Sequence, residues 1–186
     1  MAQALGPYTI EMLDAFPPDG KRYEILDGAL IVTPAPRPAH QTVQANLAMA
    51  LGPYVKTHRL GRFWLGPADV IFDEHTRFEP DAVVALGDAA RRVRSWHQLP
   101  DPALAVEILS PSSARWDRGG KRERYLTRAA EYWVVDVEAR LVERWRPGDE
   151  RPSIHRETLV WQPDSAVAPL VVDVSALFAD LPDPEE

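Results

Sequence analysis

The chain predicts a mixed α/β domain, with a central sheet covered on both faces and helices packed against it. Three observations carry this. Ala82-Val83-Val84-Ala85-Leu86 and the run from Ala103 to Leu109 are apolar almost without a break, as strands buried on both faces must be. Tyr23 to Leu26 and Ala29 to Thr33 flank Asp27-Gly28, a strong hairpin signal. Val43, Leu47, Ala50, Leu51, Tyr54 and Val55 recur at helical spacing.

In chain order, Thr9 caps a short helix through Ile10, Met12, Leu13 and Phe16, which Pro17-Pro18 stop. The hairpin follows, with Glu24 in its first strand. Pro34 to Pro38 is a stiff loop, then a helix runs from Ala39 to about His58, with a kink or loosened turn expected at Gly52-Pro53. His40 and Gln41 fall in its first turn. Arg62 to Leu65 and Ala68 to Phe72 read as strands split by Gly66-Pro67, and Asp73 to Arg77 as a polar turn. Residues 88 to 102 read as a loop with one helical turn. A helix is expected from Asp117 to Ala130, capped by Asp117 or Ser113, its first turns weakened by Gly119-Gly120. Tyr132 to Val137 is a third buried strand and Leu141 to Arg146 pairs with it. Ser153 to Trp161 adds one more strand, Pro169 to Val174 another, and Ser175 to Phe178 a brief helix. The tail from Asp180 to Glu186 is acidic and expected to fray.

The 186 residues are expected to form a single domain with a sizeable core. With no cysteine, a disulfide framework and a thiolate zinc site are both excluded. Met1 to Leu5 lead to Gly6-Pro7 without a basic region or an apolar core of signal-peptide length, so a cytoplasmic location is expected. A net charge of -7 argues against a general basic coat for nucleic acid. The basic residues are nonetheless clumped. Arg91, Arg92 and Arg94 form one group, and Arg115, Arg118, Lys121, Arg122, Arg124 and Arg128 another. Such a clump is either a solvated helix face or a phosphate contact.

Chemistry concentrates between Glu79 and Lys121. A glutamate inside Ala105-Val106-Glu107-Ile108-Leu109 must be protonated, paired or bound to a cation, because burying an unpaired carboxylate costs several kcal/mol. Asp81 opens a neighbouring apolar strand after Pro80. If the two strands are adjacent, both carboxylates can share Mg²⁺ or Mn²⁺, ions that prefer oxygen ligands, activate water and neutralise phosphate charge. Spacing alone leaves a structural alternative, a turn cap and a buried ion pair with an arginine. Lys121 on the following helix has Asp117 and Tyr125 one turn before and after it on the same face. Taken alone it reads as a surface lysine. Glu24 and His40 are further candidates at the same rim.

Tyr23-Glu24-Ile25-Leu26-Asp27-Gly28, His40-Gln41, Pro80-Asp81, Val106-Glu107-Ile108-Leu109-Ser110-Pro111-Ser112, Asp117-Arg118, Lys121, Tyr125 and Glu131-Tyr132-Trp133-Val134-Val135-Asp136 together resemble the Uma2 family of bacterial endonucleases. That family belongs to the PD-(D/E)XK, restriction-endonuclease-like superfamily. The resemblance spans about residues 20 to 140 and keeps the order of all motifs. It implies a restriction endonuclease-like core, a mixed central β-sheet flanked by helices with additional β-hairpins, and residues 141–186 as peripheral strands, a short helix and the tail. It further implies a Mg²⁺- or Mn²⁺-dependent hydrolase of DNA phosphodiester bonds. Asp81 and Glu107 would be the metal ligands and Lys121 the catalytic lysine, assisting water activation or transition-state charge. The superfamily's usual third position, two after the glutamate, is Leu109 here, so the lysine has moved to the next helix as the Uma2 pattern allows. Thr127-Arg128-Ala129-Ala130 replaces the family's Gly-containing turn, which touches the helix exit and not the site.

DNA is the implied partner, with Arg115, Arg118 and Arg122 as candidate phosphate contacts. A homodimer is expected because cutting both strands needs two sites, with Trp145 and Trp161 as candidate exposed interface aromatics. Two rivals stand beside this reading. One is a non-catalytic nucleic-acid- or partner-binding module on a nuclease-like core, whose binding would survive loss of the carboxylates. The other is a carboxylate-pair sugar hydrolase, which needs both acids across an open cleft and no metal.

Overall fold

Left-handed backbone at Asp27 (φ 50°) and Gly28 (φ 80°) joins β1 (Arg22–Leu26) to β2 (Ala29–Thr33), the turn that an Asp-Gly pair favours. The structure, a computed structural model, describes residues 7–182. The reading of Met1 to Leu5 and the last residues of the acidic tail lie outside that range. Before the hairpin, α1 (Ile10–Asp14) is capped by the Thr9 side chain, which accepts from the Met12 N–H. After it, α2 (Pro38–Thr57) runs through Pro53 as one continuous helix.

The chain then lays down β3 (Gly61–Leu65), β4 (Val70–Asp73), β5 (Thr76–Phe78), β6 (Ala82–Leu86), α3 (Gly87–Arg91), a 3₁₀ turn at Trp96–Gln98 and β7 (Leu104–Ile108). Next come α4 (Ala114–Asp117), α5 (Gly120–Tyr125), β8 (Tyr132–Asp136), β9 (Leu141–Trp145), β10 (Ser153–His155), β11 (Thr158–Trp161), β12 (Leu170–Asp173) and α6 (Val174–Leu177). The central sheet has the order β10-β9-β8-β7-β6-β3. Its β7-β8 pair is parallel and the others are antiparallel, so the sheet is mixed as predicted.

Strand alternation divides the central strands between two cores. Val84, Leu104, Val106, Trp133 and Val135 face α2, α6 and the β11-β12 hairpin. Val83, Ala85, Ala105, Tyr132 and Val134 face the other way, toward Leu26, Ile31, Val70 and Phe78 of a second sheet, ordered β2-β1-β5-β4, and toward Tyr125 of α5. The site described below lies between these two sheets.

Four sequence expectations need correction. In place of the single helix from Asp117 to Ala130, α4 ends at Asp117 and α5 covers only Gly120–Tyr125, with the break at Arg118-Gly119, where glycine's low helix propensity lets the chain turn. The polar run Asp73 to Arg77 contains most of β5, whose Thr76 and Arg77 are buried by pairing with β1 and β4. Ser153 to Trp161 is two strands in different sheets, β10 on the central sheet and β11 in the hairpin. Trp145 and Trp161 are buried, not exposed. Trp161 packs against Tyr54 and Trp133, and Trp145 lies under the Arg122 guanidinium.

Candidate active site

Antiparallel pairing places Ala82 opposite Val106, so Asp81 and Glu107 sit one step beyond, at the same end of two adjacent strands. Alternation turns both toward the second sheet. From that sheet, β1 presents Arg22 and Glu24 on the face it shares with Leu26, and α5 adds Lys121 and Tyr125. The Gly66 N–H donates to the Asp81 carbonyl (2.9 Å), and a side chain at Gly66 would begin 2.6 Å from the Pro80 carbonyl, so this approach requires glycine. Glu24, Asp81, Asp117 and Lys121 are each 1% exposed and Glu107 is 2% exposed.

Each of the two central carboxylates gives one oxygen to protein donors and turns the other toward a shared cation. Asp81 Oδ2 accepts from the Ile108 N–H (2.7 Å) and from His40 Nε2 (3.1 Å). Its Oδ1 accepts from Arg22 Nη2 at 2.8 Å. Glu107 Oε1 accepts from Tyr125 Oη (3.0 Å) and lies 2.7 Å from Lys121 Nζ. Its Oε2 faces Arg22 Nη1 at 3.9 Å. Lys121 Nζ is also 2.8 Å from Glu24 Oε1 and 3.3 Å from Asp117 Oδ1. Glu24 Oε1 in turn accepts from the Glu79 N–H at 2.8 Å.

All seven sequence candidates, Asp81, Glu107, Lys121, Glu24, His40, Asp117 and Tyr125, therefore belong to one buried cluster. Tyr125 bonds Glu107 and not Lys121. Gln41 is exposed, and the side chain one turn later, Gln44, reaches the site by donating to the Asp81 carbonyl (2.9 Å). The basic helix clump is largely neutralised. Arg118 pairs with Asp136 and Glu143, Arg124 with Asp27, and Arg128 with Asp101. Arg115 stacks on Trp116, Arg122 on Trp145, and neither of these nor Arg118 lines the cleft. Sequence reasoning missed Arg22 and Gln44. The signal for Arg22 is its place two residues before Glu24 in a strand, hence on the same face.

A cavity of about 380 Å³ opens onto Arg22, Glu24, His40, Asp81, Glu107 and Lys121, walled by the loops Pro34–Arg37 and Ser110–Ser113. Charge in this space is unbalanced. Four buried carboxylates, Glu24, Asp81, Glu107 and Asp117, face only the fixed charges of Arg22 and Lys121. Acidic groups thus outnumber fixed cations here, four to two.

The titration behaviour follows from this. Burial pushes the Asp81 carboxyl up, but the His40 hydrogen bond and the Arg22 charge outweigh it and hold Asp81 at about 2. Burial drives the Glu107 carboxyl well above its ordinary range. Lys121 opposes that shift, and Asp117, Glu24 and Asp81 add to it. Burial opposes the Lys121 charge, yet Glu107, Glu24 and Asp117 raise its pKa well above the ordinary lysine value. Burial and the Asp69 and Glu24 charges lift Glu79 to about 7, against the pull of Arg22 and Arg77.

A raised carboxyl pKa means the folded chain holds a proton that the unfolded chain releases. The resulting stability is complete below the unfolded value and is lost as pH rises through the folded one. The metal-free protein is thus expected to gain stability as pH falls from about 7, where Glu79 titrates, toward the unfolded glutamate value of 4.5. Urea unfolding across that range checks this, with Glu79→Gln expected to flatten the slope. A stability that falls steadily over the same window would contradict it.

A family model described as "Uma2: Putative restriction endonuclease" matches residues 10–175. The chain belongs to the Uma2 family. The match extends past the span of about 20 to 140 that carries the sequence resemblance, and takes in α1 and the first half of α6. A comparison with curated proteins gave no match. Among solved structures, a crystal structure described as a "putative nuclease belonging to DUF820" from Anabaena variabilis is similar. It has a TM-score of 0.75 and 21% identity over 93% of this chain and 98% of that one. Family and fold together indicate a restriction-endonuclease-like nuclease. Among the described residues no helix is long and apolar enough to cross a membrane.

Whether this Uma2 site suits a divalent ion turns on its donors. Among the described residues, no group of three or more His, Asp and Glu side chains is arranged as a ready-made metal cage. Mg²⁺ seldom uses one. It usually binds one or two carboxylates and completes its shell with water and substrate phosphate. Asp81 Oδ1 and Glu107 Oε2 are two hard oxygens facing one cation, in a cluster where carboxyl groups outnumber fixed cations. The donor set fits.

Proposed function

We infer that this chain is a Mg²⁺- or Mn²⁺-dependent endonuclease that hydrolyses DNA phosphodiester bonds between its two sheets. The observation that carries this reading is the pairing of Asp81 Oδ1 and Glu107 Oε2 across one cation at the floor of the cleft, with Lys121 Nζ 2.7 Å from Glu107. Asp81 and Glu107 would hold the ion. When bound, it would polarise the phosphoryl oxygen and lower the pKa of a water molecule.

The protein groups have separate tasks. His40 and the Ile108 N–H fix Asp81 through Oδ2, and Tyr125 fixes Glu107 through Oε1, so the opposite oxygens are presented to the cleft. Lys121 stays protonated, since its pKa is raised, and so is no base at neutral pH. It acts as a fixed charge that orients the attacking water or offsets the negative charge growing on the phosphate. Glu24 and Asp117 keep its ammonium in place. Substrate phosphate meets Arg37 on the cleft wall and not the neutralised helix arginines. A homodimer would bring two such sites to the two strands of a duplex.

The deciding assay incubates purified protein with supercoiled plasmid, and with single-stranded and duplex oligonucleotides, in Mg²⁺ or Mn²⁺ beside a chelator control. Cleavage that needs the metal is expected. Absence of cleavage with either ion on every substrate would contradict the reading.

A further inference from the structure

We propose that Arg22 is the resident counter-cation of this site, which a divalent ion must displace to bind. The proposal rests on the metal-dependent reading above. Arg22 Nη2 lies 2.8 Å from Asp81 Oδ1 and Nη1 lies 3.9 Å from Glu107 Oε2, so one guanidinium spans the two oxygens left over by His40, Ile108, Tyr125 and Lys121. The planar guanidinium with its forked donors is well suited to bridging two carboxylates.

Its position also allows it to leave. Arg22 is the first residue of β1, and its side chain is 23% exposed against 1% for Asp81 and 2% for Glu107. The carboxylates are fixed by their other bonds, and the guanidinium is the most exposed of the three groups in the bridge. A doubly charged ion between Asp81 and Glu107 would lie against that guanidinium, and like charges at this range in a buried site repel strongly. The arginine therefore does two things. Without metal it offsets part of the carboxylate charge and keeps the cluster assembled. With metal present it competes for the same oxygens and sets a threshold on affinity.

The test is a Mn²⁺ titration, read from the electron paramagnetic resonance of the free ion, on wild type, Arg22→Gln and Arg22→Met. Gln keeps a hydrogen-bond donor for Asp81, and Met keeps the apolar stem. Both variants are expected to bind Mn²⁺ about tenfold more tightly or better, the effect of removing one competing charge. Their metal-free melting temperatures should fall, and saturating Mn²⁺ should raise them by more than it raises wild type. Arg22→Lys, which keeps the charge, should stay near wild-type affinity. Unchanged or weaker Mn²⁺ binding in Gln and Met, with wild type binding normally, would overturn the proposal and leave the metal reading standing. No binding by any of the proteins would end both.

Discussion

Asp81→Asn is expected to lower the cleavage rate by about 10³-fold or more, because a metal ion supplies several kcal/mol of transition-state stabilisation and each 1.36 kcal/mol is tenfold. The substitution removes the charge and keeps the shape. An amide oxygen still accepts from the Ile108 N–H, so β6 and β7 remain joined at their ends. What is lost is the anion facing Arg22 and, in the metal-loaded site, one of two ligands. Glu107→Gln removes the second ligand in the same way and is expected to fall to a similar level. Initial rates in saturating Mn²⁺, with circular dichroism and thermal melts alongside, check both. Rates within tenfold of wild type in a folded protein would show that Asp81 and Glu107 are structural.

Lys121→Met should be the most destabilising single change in the site. It leaves Glu24, Glu107 and Asp117, all buried, around an apolar side chain, with Arg22, 3.9 Å from Glu107, as the remaining fixed cation beside them. Removing one member of a buried ionic cluster costs roughly 3–5 kcal/mol. For a domain of this size that corresponds to a fall of roughly 10 °C in melting temperature.

The pH dependence has a definite sign. The folded-state pKa of Lys121 lies above the ordinary value of 10.5, so its contribution is complete below 10.5 and is lost only as pH rises through the folded value. Wild type therefore keeps it across the neutral range. In Lys121→Met the stranded carboxyls take up protons as pH falls, so the deficit should be largest in alkali and shrink in acid. Adding Glu107→Gln to Lys121→Met should recover part of the loss, since it removes a buried carboxyl that has lost its closest cation. Denaturant midpoints across pH check the series. A deficit below about 1 kcal/mol would place Lys121 among exposed ion pairs, against its burial here.

The central sheet was legible because its strands are apolar on both faces, and Glu107 because a charge inside such a run must have a cation or a proton. The Asp27-Gly28 turn was legible from two residues. Lys121 was visible only through the family pattern. In isolation it sits in a basic helix, and nothing local says that α5 folds it inward onto Glu24, a residue of the first hairpin. Arg22 was missed because it stands in the polar stretch Asp19-Gly20-Lys21, and its role depends on β1 packing across β6 and β7. Trp145 and Trp161 looked exposed beside Arg144, Arg146 and Gln162, yet alternation turns both rings inward. Strand β5 was hidden because three residues with a buried arginine resemble a turn. Its Arg77 is paired with Asp14 of α1, a contact far away in sequence. In each case the missing information was a non-local pairing, which composition and periodicity do not carry.

The most direct test of the account is a calorimetric titration of Mn²⁺ into wild type and into the Asp81→Asn, Glu107→Gln double variant. Saturable binding by wild type, absent from the folded double variant, is the predicted result. Equal binding by the two proteins, or none by wild type, would contradict the claim that these two carboxylates hold the catalytic ion.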